Sequence, residues 1–181
     1  MEFTKEEKHC MLNLAEWAVS DFISTGKRKS RPPCFPEDGK LHTPMGVFVS
    51  VYVRDELRGC IGTFSESEPL IDNIQKMAVQ AATEDRRFKA LGAKDLDHMK
   101  VEISVLLPRK RIFGPDEIEI GTHGIYLIHG YRRATLLPQV ALTNNWTPVE
   151  FLECCAENKL GLSKSSWKEA ELYVYEAILI D

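Results

Sequence analysis

The stretch GVFVSVYVRDELRGCIGTF, residues 46 to 64, decides how this chain folds. Residues 47 to 53 alternate valine with aromatic or polar residues, which is typical of a β-strand with one buried face. Residues 54 to 56 are charged and predict a turn, and residues 57 to 64 return as a second strand. The stretch therefore predicts an antiparallel hairpin centred on Asp55.

The hairpin predicts which side chains share a face. With Asp55 at the centre, the valines of the first strand meet Leu57, Gly59 and Ile61 on one apolar face. On the other face the expected pairs are Tyr52 with Arg58, Ser50 with Cys60 and Phe48 with Gly62. A register shifted by one residue would leave the Arg58 guanidinium against an apolar layer, which is costly, so we favour the first register.

Two interpretations of this strand stay open. In the first, Arg58 lies roughly 7 Å from Cys60 on the same face, lowers the pKa of the thiol and so favours the nucleophilic thiolate, while Gly62 leaves space for a ligand. In the second, Cys60 is a small packed residue, Gly59 and Gly62 let another element cross closely, and Arg58 pairs with a carboxylate. The residues alone favour the second interpretation.

The rest of the chain predicts helices and further strands. A capping box formed by Thr4 and Glu7 begins a helix that ends at Gly26, and Pro69 opens another. Further strands are expected over 101–107, 118–120, 124–128, 132–137 and 172–180, with a helix starting after Thr147. This irregular order predicts an α+β fold, two-lobed, with a mixed and largely antiparallel sheet and helices packed on it.

Composition limits the classes of function. With 181 residues, 44% hydrophobic and 28% charged, the chain predicts one domain over 1–181 with room for two lobes. The net charge of -4 argues against nucleic-acid binding, although a proline-rich loop at 27–44 carries a basic run. The sequence has neither a membrane-length apolar run nor a signal peptide, so we expect a cytoplasmic protein. Its five cysteines lack zinc or disulfide spacing, and we expect no metal and no cofactor.

Other residues are candidates for a site around the thiol. His123, in a glycine-flanked loop, is the expected catalytic base, or else a turn histidine with a satisfied ring. Asp85 and Arg87 follow the second helix, and Asp85 is expected to orient Arg87 or to end the helix. Arg132 and Gln139 are expected either to bind a ligand or to be structural or solvated.

Several blocks resemble one known family. The hairpin stretch, AATEDRRF (81–88), VEISVLLP (101–108), IEIGTHGIYL (118–127) and LLPQVA (136–141) resemble the blocks of the AMMECR family in order. The resemblance implies a two-lobed α/β fold with a cleft near the strand that carries Cys60 and Thr63. It also implies suspected enzymatic activity, without an established substrate, and association with Memo-like and radical-SAM proteins.

Two hypotheses of function follow. In one, the chain is a cysteine-dependent enzyme in which Cys60, with Arg58 and His123, acts on a small or nucleotide-like substrate. The cleft around it would include Ser50, Gly59, Gly62, Thr63, Asp85, Arg87 and Gln139. In the other, the chain is a non-catalytic protein-interaction module that works with Memo-like or radical-SAM partners.

Overall fold

A computed structural model describes residues 2–27, 39–64 and 67–181, which form two compact units. The first unit comprises the residues up to Leu106 together with Ile178–Asp181, and the second is Leu107–Ala177. Most of the predicted proline-rich loop, including the basic positions 28, 29 and 31, lies outside the described residues. The single domain over 1–181 stays a prediction.

The described residues include four α-helices and eight strands. The helices are α1 (Lys5–Thr25), α2 (Leu70–Thr83), α3 (Pro138–Thr143) and α4 (Pro148–Cys154). The strands are β1 (Val47–Val53), β2 (Glu56–Thr63), β3 (Met99–Leu106), β4 (Lys110–Ile112), β5 (Gly124–His129), β6 (Arg132–Leu136), β7 (Glu171–Tyr175) and β8 (Ala177–Ile180). A 3-10 turn, Ala93–His98, precedes β3.

The first unit is a four-stranded sheet in the order β2-β1-β3-β8 with two helices packed on it. The capping box of Thr4 and Glu7 begins α1, and Gly26 ends it at a left-handed φ of 69°. Apolar residues of α1 and α2 form one core with the four valines of β1, which are 0 to 7% exposed. The predicted first helix and the predicted buried face of β1 are therefore confirmed.

The hairpin register is as predicted except near the turn. Val47–Val51 pair with Gly59–Thr63 as expected, including Ser50 with Cys60. The turn contains only Arg54 and Asp55, whose φ angles of 54° and 64° are both left-handed, as a two-residue hairpin turn requires. A β-bulge then pairs Tyr52 with Leu57, so the expected pair of Tyr52 with Arg58 is wrong.

Gly59 lies where α2 crosses the sheet. A Cβ atom built on Gly59 would overlap the backbone carbonyl of Ala81. Only a residue without a side chain allows the helix to approach β2 this closely. The second interpretation of the motif, in which glycine permits a close crossing, therefore holds at this position.

The second unit is a four-stranded sheet in the order β4-β7-β5-β6 with its own buried core. The strand expected over 118–120 is absent, since Glu119 accepts hydrogen bonds from the N–H groups of Thr122 and His123 and so forms a turn. The strand expected over 172–180 is two strands, β7 and β8, which belong to different sheets.

Fold class follows from these elements. Helices pack on two antiparallel sheets, which confirms the predicted α+β class and replaces the expected single mixed sheet with two separate ones. Among the described residues, no helix is both long and apolar enough to cross a membrane.

Candidate functional site

Cys60 lies in the middle of β2, an edge strand, on the face opposite the valines. Ser50 of β1 pairs with Cys60, and Glu102 of β3 pairs with Ser50. A thiol, a hydroxyl and a carboxyl therefore follow one another across three neighbouring strands, each step about 4.8 Å. All three residues are half-buried.

The Ser50 hydroxyl links the polar groups of this row. It is in hydrogen-bond contact with the Cys60 thiol and also with the Tyr52 phenol two residues along β1. Tyr52 interacts electrostatically with both Cys60 and Glu102, so the four side chains form one cluster, which we call the thiol row. Glu102 is not identifiable from the sequence, because the alternation of β3 predicts a strand but not which strand lies beside it.

Burial raises the pKa of the Cys60 thiol, so the expected lowering is wrong. The hydrogen bond from Ser50 and the charge of Arg87 act in the opposite direction, whereas Asp85 and Glu102 reinforce the rise. Burial also raises the pKa of Glu102. The resting site therefore holds a protonated thiol on β2 and, two strands away on β3, a carboxyl group whose pKa is raised.

Asp85 and Arg87 hold the backbone of Cys60 from the free edge of the sheet. The Cys60 N–H donates to Asp85 Oδ2 (2.9 Å), and the Cys60 carbonyl accepts from Arg87 Nη2 (3.2 Å). The two side chains are joined to each other by Nε to Oδ1 (3.0 Å) and Nη2 to Oδ2 (2.6 Å). We call this pair the edge clip, because it satisfies the two backbone groups that a further strand would otherwise pair with.

The two charged groups of the edge clip shift each other's pKa. The hydrogen bond from Arg87 lowers the pKa of Asp85 to about 2. The Asp85 side chain is only 6% exposed, whereas that of Arg87 is 59% exposed. Both residues are candidates from the sequence, and both contact the backbone of Cys60 in the structure.

Arg58 was predicted to act on the Cys60 thiol, but its guanidinium contacts other residues. Its Nη2 donates to the carbonyl of Lys89 (3.2 Å), and its Nη1 lies 3.8 Å from the Asp95 carboxylate. The cation that acts on the thiol is Arg87 instead. The bulge explains the difference, because it removes Arg58 from the regular alternation that would have placed it beside Cys60.

The space expected over Gly62 is filled. A Cβ atom built on Gly62 would overlap the ring of Phe48, its partner in β1, and Phe48 in turn packs edge-on against Phe64 at 5.7 Å. The glycine therefore accommodates an aromatic ring and not a ligand. Thr63 ends β2 opposite Val47.

Three further candidates belong to the second unit. The Nδ1 atom of His123 accepts a hydrogen bond from the N–H of Glu119 (3.1 Å), the satisfied turn histidine of the alternative interpretation. Gln139 is exposed on α3. Arg132 donates to the carbonyls of Leu160 (2.8 Å) and Gly161 (3.3 Å), a structural role. Catalytic or ligand-binding roles for His123 and Gln139 stay predictions.

A protein-family model and individual relatives both match nearly the whole chain. The protein-family model described as AMMECR1 matches residues 12–180. Protein MK0488 of Methanopyrus kandleri is 37% identical over 97% of this chain and 88% of its own length. Protein PH0010 of Pyrococcus horikoshii is 34% identical over 92% of this chain and 84% of its own.

A solved structure matches the whole fold. The crystal structure of the uncharacterized protein PH0010 superimposes with a TM-score of 0.90. The superposition covers 99% of this chain and 93% of that one, with 30% identity over the structural alignment.

Proposed function

The chain belongs to the AMMECR1 family, and from that premise we propose that it is a cysteine-dependent enzyme whose nucleophile is Cys60. One observation carries the proposal: the thiol row sets Cys60, Ser50 and Glu102 side by side on three strands. Nucleophilic catalysis requires a thiol, a route for its proton and a group that accepts the proton. The thiol row supports the proposal because it places a thiol, a hydroxyl and a carboxyl on three neighbouring strands.

The proton balance decides how such a site works. Because burial raises the thiol pKa, Cys60 is protonated near neutral pH and cannot attack as a free thiolate. In the proposed step the Ser50 hydroxyl, which hydrogen-bonds the thiol, carries the Cys60 proton towards Glu102, the carboxylate at the paired position of β3. The raised pKa of Glu102 makes it a stronger base than an ordinary glutamate.

The chemical step is nucleophilic substitution at an electrophilic carbon of a small or nucleotide-like substrate. The sulfur forms a bond to that carbon with the electron pair left by its proton. The bond to the leaving group then breaks, and the leaving group takes the proton held by Glu102. Water or a second substrate releases the product by the reverse route.

The pH dependence of Cys60 alkylation tests this proposal. Iodoacetamide labelling of Cys60 should be measured from pH 5 to 10 by peptide mass spectrometry. The labelling rate should rise with pH in two separate steps, a lower limb and an upper limb of the pH–rate profile. The lower limb reports ionisation of Glu102, and the upper limb reports direct ionisation of the thiol. Glu102→Gln should remove the lower limb and shift the upper limb to lower pH, because a negative charge that raises the thiol pKa is lost.

Two variants complete the experiment. Ser50→Ala should also remove the lower limb, but it should shift the upper limb to higher pH, since the hydroxyl lowers the thiol pKa. Asp55→Asn is the matched control, because Asp55 pairs with Lys100 outside the thiol row and asparagine tolerates the left-handed turn. A single limb in the wild type that Glu102→Gln merely moves to lower pH would contradict a base role for Glu102.

A non-catalytic interaction module is the second candidate. Its support is that β2 is an edge strand and that Leu57 is 37% exposed on it. Association with Memo-like or radical-SAM proteins, measured with purified components, should then fall with Leu57→Glu and be unchanged by Cys60→Ser. Substitutions at Gly59 or Gly62 are unsuitable, because each would disturb packing within the first unit.

A further inference from the structure

A pocket of the first unit lies between the hairpin turn and the 3-10 turn Ala93–His98. Its volume is ≈ 400 Å³, and its polar lining comprises Arg54, Glu56, Arg58, Lys94, Asp95 and His98. None of these residues belongs to the thiol row or to the edge clip. The pocket therefore has no part in the proposed cysteine chemistry.

We propose that this pocket binds a small phosphate-bearing anion. Three basic side chains line the pocket, those of Arg54, Arg58 and Lys94. Its acidic side chains are two, those of Glu56 and Asp95. The pocket thus has an excess of positive charge in a chain whose net charge is -4. Two guanidinium groups favour phosphate in particular, because their planar forks match its oxygens in pairs.

Arg58 is fixed in place with donors to spare. Among the described residues, its Nη2 alone donates a hydrogen bond, to the Lys89 carbonyl, and the 3.8 Å from Nη1 to the Asp95 carboxylate exceeds hydrogen-bond length. Asp95 is itself engaged, since its Oδ2 accepts from the N–H of Gly92 (2.9 Å). A pre-oriented guanidinium with unused N–H groups binds an anion at little entropic cost.

The hairpin turn holds Arg54 at the same pocket. The Arg54 N–H donates to the carbonyl of His98 (3.1 Å), which fastens the hairpin turn to the 3-10 turn. The carboxylate of Asp55, next in sequence, is paired with Lys100 at 2.8 Å. The hairpin turn therefore contributes the charge of Arg54 to the pocket, while Lys100 balances that of Asp55.

Inorganic pyrophosphate is the probe that tests the proposal, by isothermal titration calorimetry on the full chain at 50 and 300 mM salt. Binding that weakens at the higher salt is expected, because charge-assisted contacts are screened. Arg58→Gln should weaken binding by about tenfold or more. Arg54→Asn should do the same, and asparagine suits the left-handed turn, so this variant tests the pocket even if Arg58→Gln fails to fold.

Two controls make the result decisive. Lys76→Gln removes a lysine of α2 that pairs with Glu68. This variant should change the affinity for pyrophosphate by no more than about twofold. Cys60→Ser should also leave it unchanged, which separates this pocket from the proposed cysteine chemistry. No binding at about 10 mM pyrophosphate, or equal weakening by Arg54→Asn and Lys76→Gln, would overturn the proposal.

Discussion

Asp85→Asn is the substitution that most directly tests how the fold holds Cys60. Asparagine keeps the size of the side chain but loses the charge that accepts from the Cys60 N–H and pairs with Arg87. The pKa of Asp85 is about 2, against an ordinary value of 3.8. That difference corresponds to roughly 2 kcal/mol of folding free energy at neutral pH, after a discount because Arg87 is 59% exposed.

The sign of the pH dependence follows from the lowered pKa. The contribution of Asp85 is fully present above pH 3.8 and is lost as the pH falls through about 2. Urea unfolding should therefore show wild type and Asp85→Asn differing by about 2 kcal/mol at pH 7 and converging between pH 4 and 2. Hydrogen exchange of the Cys60 amide should also quicken in the variant.

A matched control separates the edge clip from simple loss of charge. Glu84, next in sequence, accepts from Gln80 on its own helix, and Glu84→Gln should change stability by less than about 0.5 kcal/mol. If Asp85→Asn cost no more than Glu84→Gln at pH 7, or if its cost persisted undiminished at pH 2.5, the account of the clip would be refuted.

Three further predictions concern packing and burial. Gly59→Ala should destabilise the protein by about 3 kcal/mol in urea unfolding, because its Cβ would overlap backbone of α2, and a cost below 1 kcal/mol would contradict this close crossing. Gly62→Ala should lower the free energy of unfolding by about 1–3 kcal/mol, because its Cβ would overlap the Phe48 ring. The loss should be much smaller in a protein that also carries Phe48→Ala, and additive losses from the two substitutions would rule out direct contact. Burial raises the pKa of Cys155 to about 12, so at pH 8 iodoacetamide should leave it unmodified in the native protein while Cys10 reacts, and comparable labelling of the two would be inconsistent with that burial.

The features that depend on residues close in sequence are predictable from the sequence. The capping boxes that begin α1 and α4 are formed by side chains three residues apart, and they occur as predicted. The register of Val47–Val51 with Gly59–Thr63 was also predictable, because a shift by one residue would exchange buried and exposed faces. Local geometry and the cost of burying charge were sufficient for these predictions.

The other features of the candidate site depend on contacts between residues that are distant in sequence. The bulge near Arg58 arises from the choice of a two-residue turn, to which Arg54 and Asp55 are less usual contributors than asparagine and glycine. Glu102 joins the thiol row only because β3 lies beside β1, and Asp85 reaches the Cys60 amide from 25 residues away. No periodicity in the sequence encodes either neighbour.

The structure separates the parts of the motif that the fold requires from the part that it does not. Gly59 lets α2 approach β2, Gly62 makes room for the Phe48 ring, and Arg58 donates a hydrogen bond to the Lys89 carbonyl. The edge clip holds only the backbone of residue 60, which any residue other than proline provides. The fold thus explains the backbone at Cys60 but not the thiol. The thiol lies on the face away from the valines, where the Ser50 hydroxyl hydrogen-bonds it, and the proposed nucleophilic role of that thiol is what the alkylation experiment tests.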